Sequence, residues 1–138
     1  MKKFEIMTKY IPLIADDSFG EWIIDRENDG TLEHPMHMPF VNYSEMVRAF
    51  ISDVYEFEEN NKDFMLTRYG DILKEHDIEW GQSSMTEADV RLMNGQVVMA
   101  MIMGAVRAER FCDGALLAFF KDGTIVKWLQ RLYEIDNM

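Results

Sequence analysis

The run from Val97 to Val106 contains no charged side chain at any of its ten positions. A helix that is apolar on every side has to be enclosed by other elements. The surrounding stretch 94–122 keeps helical spacing, so it is expected to form one long helix, buried through its first half. Asn94 stands where an N-cap belongs, and Gly123 follows where a helix C-terminal glycine belongs. The apolar run is far shorter than the ~20 residues a membrane-spanning helix needs. It therefore predicts a protein core, not a bilayer span.

The rest of the chain reads as wrapping. Phe4, Met7, Tyr10, Ile11 and Ile14 recur at intervals of three and four, with Pro12 set to kink or shorten the last turn. Val47, Phe50, Ile51, Val54 and Phe57 make the clearest amphipathic face, with Asn42 as N-cap and Glu45 in the capping-box position. Met65, Tyr69, Ile72, Leu73 and His76 mark a further helix. The spacing of Ser84 and Glu87 predicts a short helical turn. Thr124 is expected to cap a final helix with Ile125, Trp128, Leu129 and Leu132 inside. Between 20 and 41 the pattern is irregular. Glu21 to Ile24 reads as a short strand, Glu27–Asn28–Asp29–Gly30 as a turn, and Pro35 and Pro39 restrict the return limb to an edge. The expected fold is mainly α. It is a single-domain bundle over 1–138, of about five helices around a buried central helix at about 95–122, with at most a small β-hairpin near 20–41. The chain's 138 residues suffice for one such core.

The formal net charge of −11 is unevenly spread. Residues 1–94 hold nine Lys/Arg against twenty Asp/Glu, whereas 95–138 hold five of each. An acidic shell repels phosphates and anionic lipid, so direct contact with nucleic acid or membrane is not expected. Glu56, Glu58 and Glu59 crowd one helix end and form a candidate anionic docking patch, against the plainer reading of a solvated helix end. Met36 and Met38, beside Pro35 and Pro39, are a second candidate partner contact on a loop. The single cysteine, Cys112, forms no internal disulfide, and Glu5 and Lys9 interrupt any signal-like apolar run. Both point to the cytoplasm.

On a continuous central helix, Val97, Met101, Gly104, Ala108, Phe111, Ala115 and Phe119 share one face. Small Ala100, Gly104 and Ala108 would admit a close neighbour. That stripe and the methionine loop are also candidate homodimer contacts. Arg107, Arg110, Gly114 and Lys121 share a second sector, with Glu109 and Asp113 in a third beside it. Two guanidinium groups flanking a side-chain-free notch at Gly114 suit a carboxylate or phosphate. Arg107, Arg110, Glu109, Asp113 and Gly114 are thus the candidate ligand-binding set. The competing structural reading pairs the arginines with carboxylates such as Asp53 or Asp71. Cys112 reads as core. No phosphate loop, dinucleotide fingerprint, zincin motif or nucleophile elbow is present. His34 and His37 lack a third ligand nearby. No catalytic residue, cofactor or metal is therefore assigned.

The run Arg107–Ala108–Glu109–Arg110–Phe111–Cys112–Asp113–Gly114, followed by Asp122–Gly123–Thr124, resembles the signature of a bacterial domain-of-unknown-function family of Firmicutes and mobile-element type. The resemblance is strongest over 94–132 and weaker through 43–55 and 69–73. It implies an α-rich single domain and brings no activity. Two functions are carried forward. The first is a non-enzymatic acidic interaction or regulatory module for a protein partner. Such a module would bind a basic surface of nucleic-acid machinery by charge mimicry, as a mobile-element or counter-defence accessory protein would. The second is an anion-binding domain or small enzyme centred on Arg107 and Arg110, with Glu109 and Asp113.

Overall fold

The computed structural model describes residues 2–24, 30–33, 35 and 38–138. Glu27, Asn28 and Asp29 of the expected turn lie outside the described residues, as do His34, Met36 and His37.

Two short helical turns open the chain, α1 (Glu5–Thr8) and α2 (Ile11–Ile14). Pro12 lies in the first turn of α2, where its missing N–H has no intrahelical partner to lose, so the segment divides instead of kinking. The antiparallel hairpin follows, β1 (Gly20–Ile23) against β2 (Phe40–Tyr43), with Gly20 opposite Tyr43 and Trp22 opposite Val41. Trp22 and Tyr43 consequently project from the same face. Next comes α3 (Glu45–Asn60), capped by Ser44 and not by the expected Asn42. Ser44 Oγ accepts the Val47 N–H at 3.3 Å, while Asn42 takes a hydrogen bond from Arg48 at 2.6 Å. Tight single turns at 62–64 and 66–68 lead into α4 (Tyr69–Glu75). In α5 (Gln82–Glu87), Ser84 is not the cap but an internal residue, and its Oγ accepts the Glu79 N–H at 2.9 Å.

Asn94 caps α6 (Gly95–Ala108), its Oδ1 accepting the Val97 N–H at 3.0 Å. Every residue of α6 is buried except half-buried Gln96, Arg107 and Ala108. Helices α3 and α4, with α7 (Ala115–Lys121) and α8 (Thr124–Asp136), pack around it. At roughly 1.5–3 kcal/mol for each large apolar side chain removed from water, Val97, Val98, Met99, Met101, Ile102 and Met103 make α6 a large contributor to core stabilisation. The small-residue stripe has a specific occupant. A Cβ on Gly104 would stand 3.2 Å from Met85 Cε and 3.3 Å from Trp80 Cδ1, so side chains, not another helix backbone, fill that gap. At the start of α8 the acceptor is the Asp122 carboxylate, 2.9 Å from the Thr124 N–H, and Thr124 itself is buried. Among the described residues no helix is long and apolar enough to cross a membrane.

The fold is mainly α with one small hairpin, as the sequence predicts, but the central helix is not continuous. It stops at Ala108, turns through 109–114 and restarts as α7. Gly114 has φ +89°, a left-handed conformation that a helix interior excludes. Faces assigned by helical phase therefore fail beyond Ala108. Phe111, expected on the buried face, is 76 % exposed, and Cys112, expected in the core, is exposed too.

Gly114→Ala tests the break. A Cβ there would sit 2.3 Å from Trp22 Cζ2. Backbone strain of about 1–2 kcal/mol and steric crowding of about 1–3 kcal/mol together predict a loss of about 2–5 kcal/mol in urea unfolding. In a Trp22→Ala background only the backbone share should remain. A loss no larger than ~0.5 kcal/mol would mean that the turn is not held in this conformation.

Candidate functional site

The turn between α6 and α7 gathers most of the residues that the sequence singles out, but in a different arrangement. Glu109 is the organiser. Its carboxylate accepts the Tyr43 O–H at 2.6 Å, the Gly114 N–H at 3.0 and 3.1 Å, and the Leu116 N–H at 3.0 Å. The Tyr43 oxygen in turn accepts the Leu117 N–H at 3.0 Å. The N–H groups of Gly114, Leu116 and Leu117 are thus satisfied by one anion and one phenol, while that of Ala115 reaches the Cys112 carbonyl at 3.1 Å; a carboxylate at a helix start is also favoured by the peptide dipoles. Gly114 does not present an open notch beside the arginines, because the Trp22 indole lies over it.

Arg107 and Arg110 no longer share a helix face. Arg107 is half-buried with its guanidinium carbon 5.5 Å from the centre of the Tyr55 ring, and its Nε is buried without a hydrogen-bond partner. Arg110 is exposed in the turn. The expected structural partners are taken elsewhere. Asp53 accepts Tyr10 O–H and pairs with Lys9 at 3.0 Å, and Asp71 faces Arg68 at 3.5 Å. Among the described residues neither Arg107 nor Arg110 has an ion-pair partner. Of the α3 patch, Glu58 and Glu59 both reach Lys62, at 3.0 and 3.1 Å, leaving Glu56 exposed beside them. Met38 is exposed at the foot of β2.

The break also creates a cleft of about 390 Å³ between the turn, α7 and the segment around Trp80. Met85, Ala108, Ala115, Ala118 and Phe119 form its apolar lining, and Phe111, Cys112 and Asp113 of the turn edge it. Trp80 is fixed in place, its Nε1–H donating to the Gly104 carbonyl at 2.9 Å and its ring meeting Phe111 edge-on at 5.6 Å. The sequence pattern assigns Trp80 no role. The available signal was a tryptophan set between Glu79 and Gly81–Gln82, where turn chemistry asks for small or polar side chains. Among the described residues no group of three His, Cys, Asp or Glu side chains is placed to hold a metal ion.

Tyr43 gives this arrangement a pH signature. Burial first, then its hydrogen bond to Glu109 and the nearby negative charge, push the phenol well above its ordinary value. Burial and Asp53 do the same to Tyr10. A folded-state pKa raised above the unfolded one stabilises below the unfolded pKa of about 10, and that contribution is lost as pH rises beyond it. Tyr43→Phe should cost about 1–2 kcal/mol at pH 7 and flatten the alkaline fall in stability, with Tyr10 retaining part of the slope. Glu109→Gln should cost about 1–3 kcal/mol at pH 7, because its amide N–H₂ meets backbone donors. Urea melts at pH 7 and above pH 10 check both; an unchanged alkaline slope in Tyr43→Phe would contradict this role for the phenol.

The model of the Family of unknown function (DUF6508) matches residues 2–138, and the chain belongs to that family. No curated protein and no solved structure matches it.

Proposed function

We propose that this domain is a non-enzymatic interaction module that binds a basic protein surface, with a regulatory role. The observation that carries the reading is the segment 75–89. Glu75, Asp77, Glu79 and Glu87 are exposed there and have no ion-pair partner among the described residues. At its end Arg91 is already engaged by Asp89 at 2.9 Å. Trp80 stands half-exposed among these carboxylates. An aromatic anchor within a mainly acidic rim, here with Lys74 beside Asp77 and Glu79, is the composition of a recognition surface: the charges steer the encounter and the ring supplies buried area. Glu56 and the hairpin's Met38 extend the candidate contact surface elsewhere. Proteins that handle nucleic acids present Lys/Arg-rich faces, and an acidic domain can occupy such a face in place of phosphate. The setting we propose is cytoplasmic, supported by a single exposed cysteine, and bacterial, supported by the resemblance of residues 107–114.

A second reading retains an anion site at Arg107 and Arg110, favoured by the buried, unpartnered Arg107 Nε. It is the weaker of the two, since Glu109 and Gly114 are both engaged within the fold. Phosphate or citrate raising the melting temperature at matched ionic strength, with the shift abolished by Arg107→Ala, would favour it.

The module reading is tested with a labelled Lys/Arg-rich peptide. Its affinity should fall roughly tenfold or more between ~50 and ~300 mM NaCl, since exposed charges are screened. Replacing Glu75, Asp77, Glu79 and Glu87 together by Gln should weaken binding more than replacing the exposed Glu5, Asp16, Glu45 and Asp63. Salt-independent binding, or equal effects of the two sets, would sink the reading.

A further inference from the structure

We propose that the cleft at the α6–α7 break is a recognition pocket for one arginine side chain of the basic partner; this rests on the module reading above. Three observations converge. The first is shape and lining: a cleft of about 390 Å³ floored by Met85, Ala108 and Ala115 accepts an aliphatic stem. The small side chains make the space, and no Lys or Arg lines it. The second is the aromatic wall. Trp80 and Phe111 meet edge-to-face with ring planes at 85°, so one ring can present its face while the other closes the side. The π-face of an indole is the best side-chain surface for a planar guanidinium. The third is charge. Asp113 lines the same cleft, is exposed, and makes no hydrogen bond or ion pair among the described residues. A carboxylate beside an aromatic wall and an apolar floor is complementary to a cation with a greasy stem. A guanidinium fork matches the carboxylate better than an ammonium does.

The wall is held before any partner arrives. The Trp80 Nε1–H bond to the Gly104 carbonyl and the close seat over Gly104 keep the indole from collapsing onto the cleft floor. Preorganisation of this kind lowers the ordering cost of binding. The acidic segment 75–89 carries Trp80, so the residues that attract a basic chain also deliver it to the cleft mouth.

The test follows the Trp80 indole N–H and the amides of 108–119 by NMR. The probes are N-acetyl-arginine methylamide, its neutral isostere N-acetyl-citrulline methylamide, and the same Lys/Arg-rich peptide. The arginine compound should give saturable shifts confined to the cleft, at least fivefold stronger in affinity than citrulline. Asp113→Asn should remove that difference, and Trp80→Ala should abolish the shifts while the melting curve confirms folding. Equal binding of citrulline and arginine, or an unchanged preference in Asp113→Asn, overturns the pocket. Salt-sensitive peptide binding that leaves the cleft resonances unmoved also overturns the pocket but leaves the module reading standing. No binding of the peptide at all removes the module reading, and the pocket with it.

Discussion

The Glu109 carboxylate collects an O–H from the hairpin and two N–H groups from the start of α7, and the arrangement of the C-terminal half follows from that gathering of donors. A helix that stops inside a folded chain leaves carbonyls unpaired behind it, and a helix that starts leaves donors unpaired ahead. Breaking the helix between Ala108 and Ala115 therefore costs free energy unless the new ends are satisfied locally. Glu109 and Tyr43 supply the acceptors for α7, while Gly114 supplies the left-handed residue that turns the chain. Hydrogen bonds to charged acceptors are worth about 1.5–3 kcal/mol each, enough to offset a few residues lost from a helix.

The break is useful because α6 is buried all round. Continued in a straight line, its apolar face would carry on past the helices that cover it. Redirected at Glu109, the chain returns Leu116, Phe119 and Phe120 to the core, where Phe120 meets Phe50 at 5.2 Å and Phe119 meets Trp128 at 5.6 Å. The polar residues of the turn are then left at the surface. This accounts for the sharp change in composition at Arg107 that the apolar run itself gives no reason for.

Much of the fold was legible because it is local. Helix α3, the Asn94 cap, the left-handed Gly123 and the apolar face of α8 all depend on residues within a few positions of one another. The break was not legible, because Tyr43 stands 66 positions from Glu109 and helical periodicity runs across the gap without a fault. Phe111 falls on the apolar phase of an ideal helix and yet is exposed. A glutamate five residues before a glycine carries no standard capping pattern, so its side chain reads as helix surface until the hairpin is folded against it. The candidate site inherits the same limit. Sequence proximity groups Arg107, Arg110, Glu109, Asp113 and Gly114, but helical phase gives them roles on a continuous helix that the fold breaks. Glu109 and Gly114 serve the turn, and Trp80, whose seat depends on the carbonyl and the missing Cβ of Gly104, could not be placed from its neighbours in sequence.

One turn thus has two dependent surfaces. Against the hairpin it is sealed, with Trp22 over Gly114 and Tyr43 against Glu109. Toward Trp80 it is open, with Phe111 and Asp113 at the edge of the cleft. The two walls of that cleft differ in what holds them. Trp80 is anchored to α6 itself, the most deeply buried element of the fold, through Gly104. Phe111 and Asp113 sit in the turn, so their position rests on Glu109 and, through Tyr43, on the hairpin. Any contact made across the cleft is therefore made between a wall set by the core and a rim set by a polar tie between distant segments. Phe111 and Asp113 are exposed on that rim, so they can be substituted without disturbing the core.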